Sequence, residues 1–190
     1  HKLPATPRPR LLPALLTSSE LAGMVNGTPL DAEQHALGLR GSDITPLIVD
    51  FAQTPLLGLF GDPRTGKTMT MRQILRGVLR TRTDLKKTMV MLVDLKKDMQ
   101  DETAAMDRQT DLYITNVDDL ALRLAQLDQQ LQKRVPPSDT DWGQVGSWQF
   151  EGPTVWLFIN NLDLVPKHVP GQGLPMFTPT MLGHLGQAAN

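Results

Sequence analysis

Cysteine does not occur anywhere in the chain, which excludes disulfide frameworks, thiolate metal sites and cysteine nucleophiles. Its absence fits a reducing compartment. An excess of one charge is also missing: 19 Lys and Arg stand against 20 Asp and Glu, for a net −1. Neither a basic module that coats nucleic acid nor an acidic tail is expected from that balance. Long hydrophobic runs are missing too. The longest, such as Leu56–Phe60 and Met89–Val93, are far short of the ~20 residues a helix needs to cross a bilayer. The four histidines are too scattered for metal-ligand spacing. What is present is a 40% hydrophobic fraction over 190 residues, enough to bury a core and to argue against disorder. The length is that of one medium domain or a large part of a bigger one. The chain opens on His1 rather than Met, so an excised piece of a longer protein is expected.

Residues 1–15 hold four prolines. Proline fixes φ and removes amide donors, so this stretch reads as an extended linker to an upstream domain, with residues 16–190 as the domain itself. Thr17-Ser18-Ser19-Glu20 reads as a cap before a short helix over Leu21–Val25. A short strand interrupted by Pro46 is expected within Ile44–Phe51. Pro55–Phe60 is apolar without alternation, which suits a strand buried on both faces of a parallel sheet. After a turn-rich loop, Met71, Ile74, Leu75 and Val78 recur at the spacing of one helix face. Met89–Val93, Leu112–Ile114 and Thr154–Ile159 read as further strands. Asn116 is placed to cap a long helix with the stripe Val117, Leu120, Ala121, Leu124, Leu127, Leu131. Val135–Gly152 reads as a polar loop, and Thr178–Ala189 as helical. Strands alternating with helices predict an α/β fold with a mainly parallel sheet.

Gly61-Asp62-Pro63-Arg64-Thr65-Gly66-Lys67-Thr68 matches G-x-x-x-x-G-K-[ST], the phosphate-binding loop. The chemistry requires this order. Glycines let amides turn inward without a Cβ clash, and the following helix adds free N–H groups and a partial positive charge. Lys67 can reach the β- and γ-phosphates, and the Thr68 hydroxyl can ligate Mg²⁺. The nucleotide-binding set expected is therefore residues 61–68 with Met69, for ATP with Mg²⁺.

An ATPase of this kind also needs a carboxylate at the end of another buried strand. The best candidate strand runs into Asn160 and Asn161. Asparagine keeps a carbonyl acceptor but no charge, so it holds a hard cation less well. It also cannot take a proton, and losing a positioned general base costs about 10²–10⁴ in rate. The reading is nucleotide binding with slow or absent hydrolysis. Two acids could compensate. Asp163 follows the strand on the next turn, its bland role being a solvated loop carboxylate. Asp94 ends Met89–Val93, its bland role being a pair with Lys96, Lys97 or another basic residue nearby.

The order of these motifs resembles the EccC family of type VII secretion ATPases, within the FtsK/SpoIIIE/HerA-like group. The likeness is carried by residues 54–68, Met91–Asp94, Leu131–Pro137, and Ser147-Trp148 before Thr154–Asp163. It implies a P-loop NTPase three-layer sandwich, with the family's metal-binding acid falling on Asn160 and a degenerate module in consequence. It also implies a further strand beyond Asn190, lying between the P-loop strand and the strand ending at Asn160. Other implications are a hexamer in the full-length protein, a place on the cytoplasmic side of a membrane within an anchored secretion complex, and helical-hairpin WXG100-type substrates, with no nucleic acid. An active translocation motor, an FtsK-like DNA translocase and a scaffold without nucleotide are the alternatives.

Two further features have ordinary readings. Arg72, Arg76, Arg80, Arg82, Lys86 and Lys87 form a basic cluster, expected as a solvated helix face because no aromatics interleave it. Trp142 and Trp148 are expected to anchor their loop against the core, with a partner-docking pocket as the sharper alternative.

Overall fold

The computed structural model describes residues 11–25, 30–134, 152–179 and 181–182. The first helix, α1, spans Ser18–Val25. It starts where the sequence signals it: Thr17 Oγ1 accepts from the Glu20 amide at 3.2 Å, and the Glu20 carboxylate accepts from the Thr17 amide at 2.7 Å. This reciprocal box satisfies two donors that a helix start would otherwise leave free.

Strands β1 (Gln34–Leu39) and β2 (Pro46–Asp50) pair as an antiparallel hairpin. The first of these strands is not legible in the hydrophobic pattern. The hairpin packs on helix α2 (Lys67–Thr81) through His35, which sits edge-on to Phe51 and Trp156. Gly77 makes this approach available, because a Cβ there would lie 2.6 Å from His35 Nδ1.

The central sheet is parallel, in the order β4 (Leu112–Ile114), β3 (Thr88–Asp94), β5 (Thr154–Asn160). Strand β3 is buried on both faces because alternate residues meet different helices. Val90 and Leu92 pack with Ile74, Leu75 and Val78 of α2, while Met91 and Val93 pack with Leu120, Leu124 and Leu127 of α3 (Val117–Gln132). The expected stripes of α2 and α3 are thus the two faces of a helix–sheet–helix sandwich. Each fully buried aliphatic side chain contributes about 1.5–3 kcal/mol. Asn116 caps α3 as read, its Oδ1 accepting from the Asp119 amide at 2.8 Å. Near the end of the described chain, the Thr178 hydroxyl accepts from the Met181 amide at 3.2 Å, opening a helical turn.

One expectation fails. Pro55–Phe60 is not a strand; Leu56 and Phe60 are 63% and 91% exposed. The physical reason is that an isolated strand leaves its amides unpaired, and no described strand lies alongside this segment. The Val135–Gly152 loop, with Trp142 and Trp148, lies outside the described residues except for Gly152. Residues 1–10 of the expected linker and most of Thr178–Ala189 also lie outside them.

Candidate functional site

The turn between Phe60 and α2 curls as the glycine spacing requires. Gly61 and Gly66 take φ of 153° and 89°, and Arg64 joins them at 66°. A Cβ at Gly61 would meet Thr65 Oγ1 at 2.8 Å. That hydroxyl donates to the Asp62 carbonyl at 2.8 Å and holds the turn closed.

Gly66 caps α2 with no side-chain acceptor, and the first turn of the helix carries no acid. The contrast with α3 is direct, since Asn116 occupies one of its free amides and Asp118 and Asp119 sit in its first turn. Among the described residues no side chain caps the start of α2, which leaves its first amides and positive end turned outward, the arrangement that attracts an anion. Lys67 Nζ lies among the loop carbonyls, donating to Gly61 and Asp62 oxygens at 2.7 Å each. A triphosphate in the turn would compete with two neutral oxygens for that ammonium and would win on charge. A cavity of about 510 Å³ opens beside the turn, lined by Phe60, Gly61, Asp62, Thr65 and Lys67 among others. That volume is within the range of small-molecule sites. Residues 61–66 and Met69 are exposed, while Lys67 and Thr68 are half-buried.

Facing the turn are the ends of β3 and β5. Thr68 Oγ1 donates to Asn160 Oδ1 at 3.5 Å, the outer limit for such a contact. Asn160 Nδ2 in turn donates to Asp94 Oδ1 at 3.0 Å. Of the expected site residues the structure thus brings Thr68, Asn160 and Asp94 into one chain of contacts. Asn161 adopts a left-handed backbone and reaches Asp98 at 3.4 Å. Asp163 stays on the 3-10 turn Leu162–Leu164, exposed and without a hydrogen bond or ion pair among the described residues. As donors for Mg²⁺, the Thr68 and Asn160 oxygens are hard and suitable in kind, but among the described residues no carboxylate is hydrogen-bonded to Thr68. Among the described residues no group of three or more His, Asp or Glu side chains could hold a metal ion unaided.

Two ordinary readings are corrected. Asp94 does not pair with Lys96 or Lys97. It is fully buried and accepts from the Asp98 and Met99 amides, the Tyr113 hydroxyl and Asn160. Burial of Tyr113, followed by its hydrogen bond to the Asp94 carboxylate, pushes its phenol up to about 12. The basic cluster is not simply a solvated face either. Arg72 and Arg76 both bind Glu102 of the 3-10 helix Gln100–Ala105, and Arg82 grips buried Asp111 through both oxygens at 2.8 and 2.7 Å. The hydrogen bond to Glu102, then its charge, raises the Arg76 guanidinium still further. The sequence signal for these pairs is weak, because helix and acids are separated by 26 to 30 residues.

No protein-family model matches the chain. It is similar to the ESX-3 secretion system protein EccC3 of Mycobacterium tuberculosis, with 31% identity over 190 residues, covering 98% of this chain and 14% of that protein. ESX-4 secretion system protein EccC4 of the same organism is 29% identical over 85% of the chain and 13% of its own length. ESX-1 secretion system protein EccCb1 of Mycolicibacterium smegmatis is 28% identical over 84% and 28%. The chain therefore spans a minor part of these relatives. Among solved structures, the cytoplasmic domain of the Thermomonospora curvata type VII secretion ATPase EccC aligns with a TM-score of 0.68 at 20% identity, over 95% of this chain and 19% of that one. A second structure, described as an ATPase, aligns with a TM-score of 0.72 at 19% identity, over 94% and 68%.

Proposed function

Because the chain belongs to the EccC family of secretion proteins, we propose that it is a P-loop ATPase-type module that binds ATP with Mg²⁺ and hydrolyses it slowly or not at all. One observation carries this reading. The 61–68 turn is curled, with no side chain among the described residues capping α2 and with Lys67 beside it, while the side facing Thr68 offers the neutral Asn160. The triphosphate would rest on the amides of residues 61–68, with Lys67 at the β- and γ-phosphates. Thr68 would hold Mg²⁺, with Asn160 Oδ1 beside it as a neutral acceptor. Bound Mg²⁺ would supply charge neutralisation of the phosphates. Among the described residues no carboxylate is hydrogen-bonded to Thr68: Asn160 stands between it and Asp94, whose oxygens accept from other donors. Bound nucleotide would instead fix the geometry of the 61–68 turn against β3 and β5.

The family supports a wider role. As part of a membrane-anchored type VII secretion complex, the module would lie on the cytoplasmic side, assemble in a hexameric full-length protein, and help recognise WXG100-type substrates. Nucleic acid is not an expected partner. The net charge of −1 gives little general attraction for nucleic acid, and Arg72, Arg76 and Arg82 of the basic cluster are engaged with Asp and Glu of this chain.

The test is calorimetric titration of Mg-ATP into the wild type and Lys67→Ala, with phosphate release followed on the same samples. Binding lost in the variant, with little turnover in either, supports the reading. Steady turnover abolished by Lys67→Ala and by Asp163→Ala or Asp94→Ala would replace it with an active motor. Failure of Mg-ATP to bind or to raise the melting temperature would leave a scaffold.

A further inference from the structure

The far wall of the site returns to α2 by a second route. Thr68 Oγ1 donates to Asn160 Oδ1 at 3.5 Å, and Asn160 Nδ2 donates to Asp94 Oδ1 at 3.0 Å. The Asp94 carboxylate also accepts from the Asp98 amide at 3.2 Å and the Met99 amide at 2.8 Å. The Asp98 carbonyl in turn accepts from Arg72 Nη2. Arg72 belongs to α2, four residues after Thr68, and residues four apart share a helix face. One face of α2 thus meets the far wall twice, directly through Thr68 and, by way of Arg72, through residues 95–105.

Residues 95–105 form a strap between α2 and the strand ends. Arg72 also donates to the Asp101 carboxylate at 2.5 Å and to Glu102 at 3.3 Å. Asn161, just after β5, donates to Asp98 at 3.4 Å, and fully buried Met99 packs with Ile74 and Leu75 of α2. Among the described residues, the side-chain hydrogen bonds that link the strap to the rest of the chain all run to Arg72, Arg76, Asp94 or Asn161. We propose that Arg72 is a positioning residue for the nucleotide site: by tying the strap to α2, it sets the approach of Thr68 to Asn160. That contact is the longest link of the route, so a slide of α2 against the sheet is taken up there. Oxygens that share a magnesium ion, directly or through its waters, need a fixed spacing, because this cation demands near-ideal octahedral geometry.

This inference rests on the nucleotide reading for what Thr68 and Asn160 would share, but its first test needs no nucleotide. The variant is Arg72→Gln, because Arg76 still pairs with Glu102 and no buried acid is left alone. Amide hydrogen exchange of the 190-residue chain is compared over residues 95–105 and, as reference, over α3. Exchange in the strap should quicken at least about tenfold, as for the loss of a hydrogen bond to a charged group, with α3 unchanged. Strap protection that is unchanged, or lost equally in α3, overturns the proposal. If Arg72→Gln does not fold, Asp101→Asn loosens the same guanidinium from an exposed position. It should show the same pattern at smaller size, and no change in the strap then overturns the proposal.

The second test reads the spacing at Thr68, which a purely structural role would not single out. ATP affinity of wild type and variant is compared in Mg²⁺ and in EDTA. Arg72→Gln should weaken binding in Mg²⁺ at least about tenfold, the usual effect of losing a group that orients a metal's ligands, and leave binding in EDTA near wild type. Equal losses in the two conditions, or no loss in Mg²⁺, overturn the proposal. No ATP binding to wild type, with strap protection lost in the variant, would sink the nucleotide reading while the tie through Arg72 stands. ATP binding to wild type, with strap protection unchanged in the variant, would sink this inference alone.

Discussion

The two walls of the site are made in opposite ways. The turn over residues 61–68 comes from one short stretch, is mostly exposed, and holds the Lys67 ammonium on its own carbonyls. The facing wall draws on Asp94, Asp98, Met99, Tyr113 and Asn160, is largely buried, and has its acid saturated by donors. Rearranging the first wall disturbs few packed groups. Altering the second strips hydrogen bonds from the centre of the sheet. Binding and stability should therefore separate on the first wall and travel together on the second.

The largest effect is expected outside both walls, at a buried ion pair of the same sheet. Asp111, just before β4, accepts from Arg82 twice and from the Val90 and Asp107 amides. Asp111→Ala should destabilise by about 3–5 kcal/mol, because it leaves a buried guanidinium unpaired. Chemical denaturation reads this directly. Lys67→Ala should do the reverse, weakening Mg-ATP by about 10- to 100-fold, the worth of one or more charge-assisted hydrogen bonds. Its melting temperature without nucleotide should stay near wild type. A matched loss of stability would erase the distinction between the walls.

Tyr113 supplies a finer probe, being the one tyrosine of the chain. Its phenol is raised to about 12 by burial and by the Asp94 carboxylate. A raised folded value contributes stability that is whole below about pH 10, the unfolded value, and is lost as pH climbs through about 12. Tyrosinate absorbance should therefore appear late in the wild type and earlier in Asp94→Asn. No difference between them would detach Tyr113 from the far wall.

His35 gives a pH dependence of the opposite sense, away from the site. Burial, then the nearby charge of Arg80, lowers its imidazole, and its Nε2 is buried with no partner among the described residues. Below about 6.5 the unfolded chain takes up the proton first. The hairpin's docking on α2 should thus be fully stable above that pH and weaken as the pH falls toward the lower folded value. Thermal unfolding between neutral and mildly acidic pH, with His35→Phe as the insensitive reference, measures it. The smallest effect is expected from Asp163→Ala: stability within about 0.5 kcal/mol of wild type, as for an exposed side chain away from such networks, and unchanged ATP affinity. A large loss of affinity there would give the acid role to Asp163.

How much of this is legible depends on range. The glycine-spaced turn, the α2 and α3 stripes and the Asn116 cap are local, and each has the form its residues imply. Strand β1 escapes the pattern because its burial comes from packing on α2 rather than from its own alternation. Pro55–Phe60 misleads because an apolar run specifies a strand only when a partner strand lies beside it. The basic residues of α2 mislead because their acids lie on other elements.

The sequence alone determined the curl of the 61–68 turn, since φ freedom at Gly61 and Gly66 and a helix start without a side-chain cap are properties of the local chain. It also determined that no carboxylate stands at residue 160. Only the tertiary structure decided where the wall's charge resides. Parallel pairing sets Asp94 opposite Asn160 at the ends of β3 and β5, 66 residues apart along the chain. A hydrogen bond over such a span follows from strand register, which no local pattern encodes.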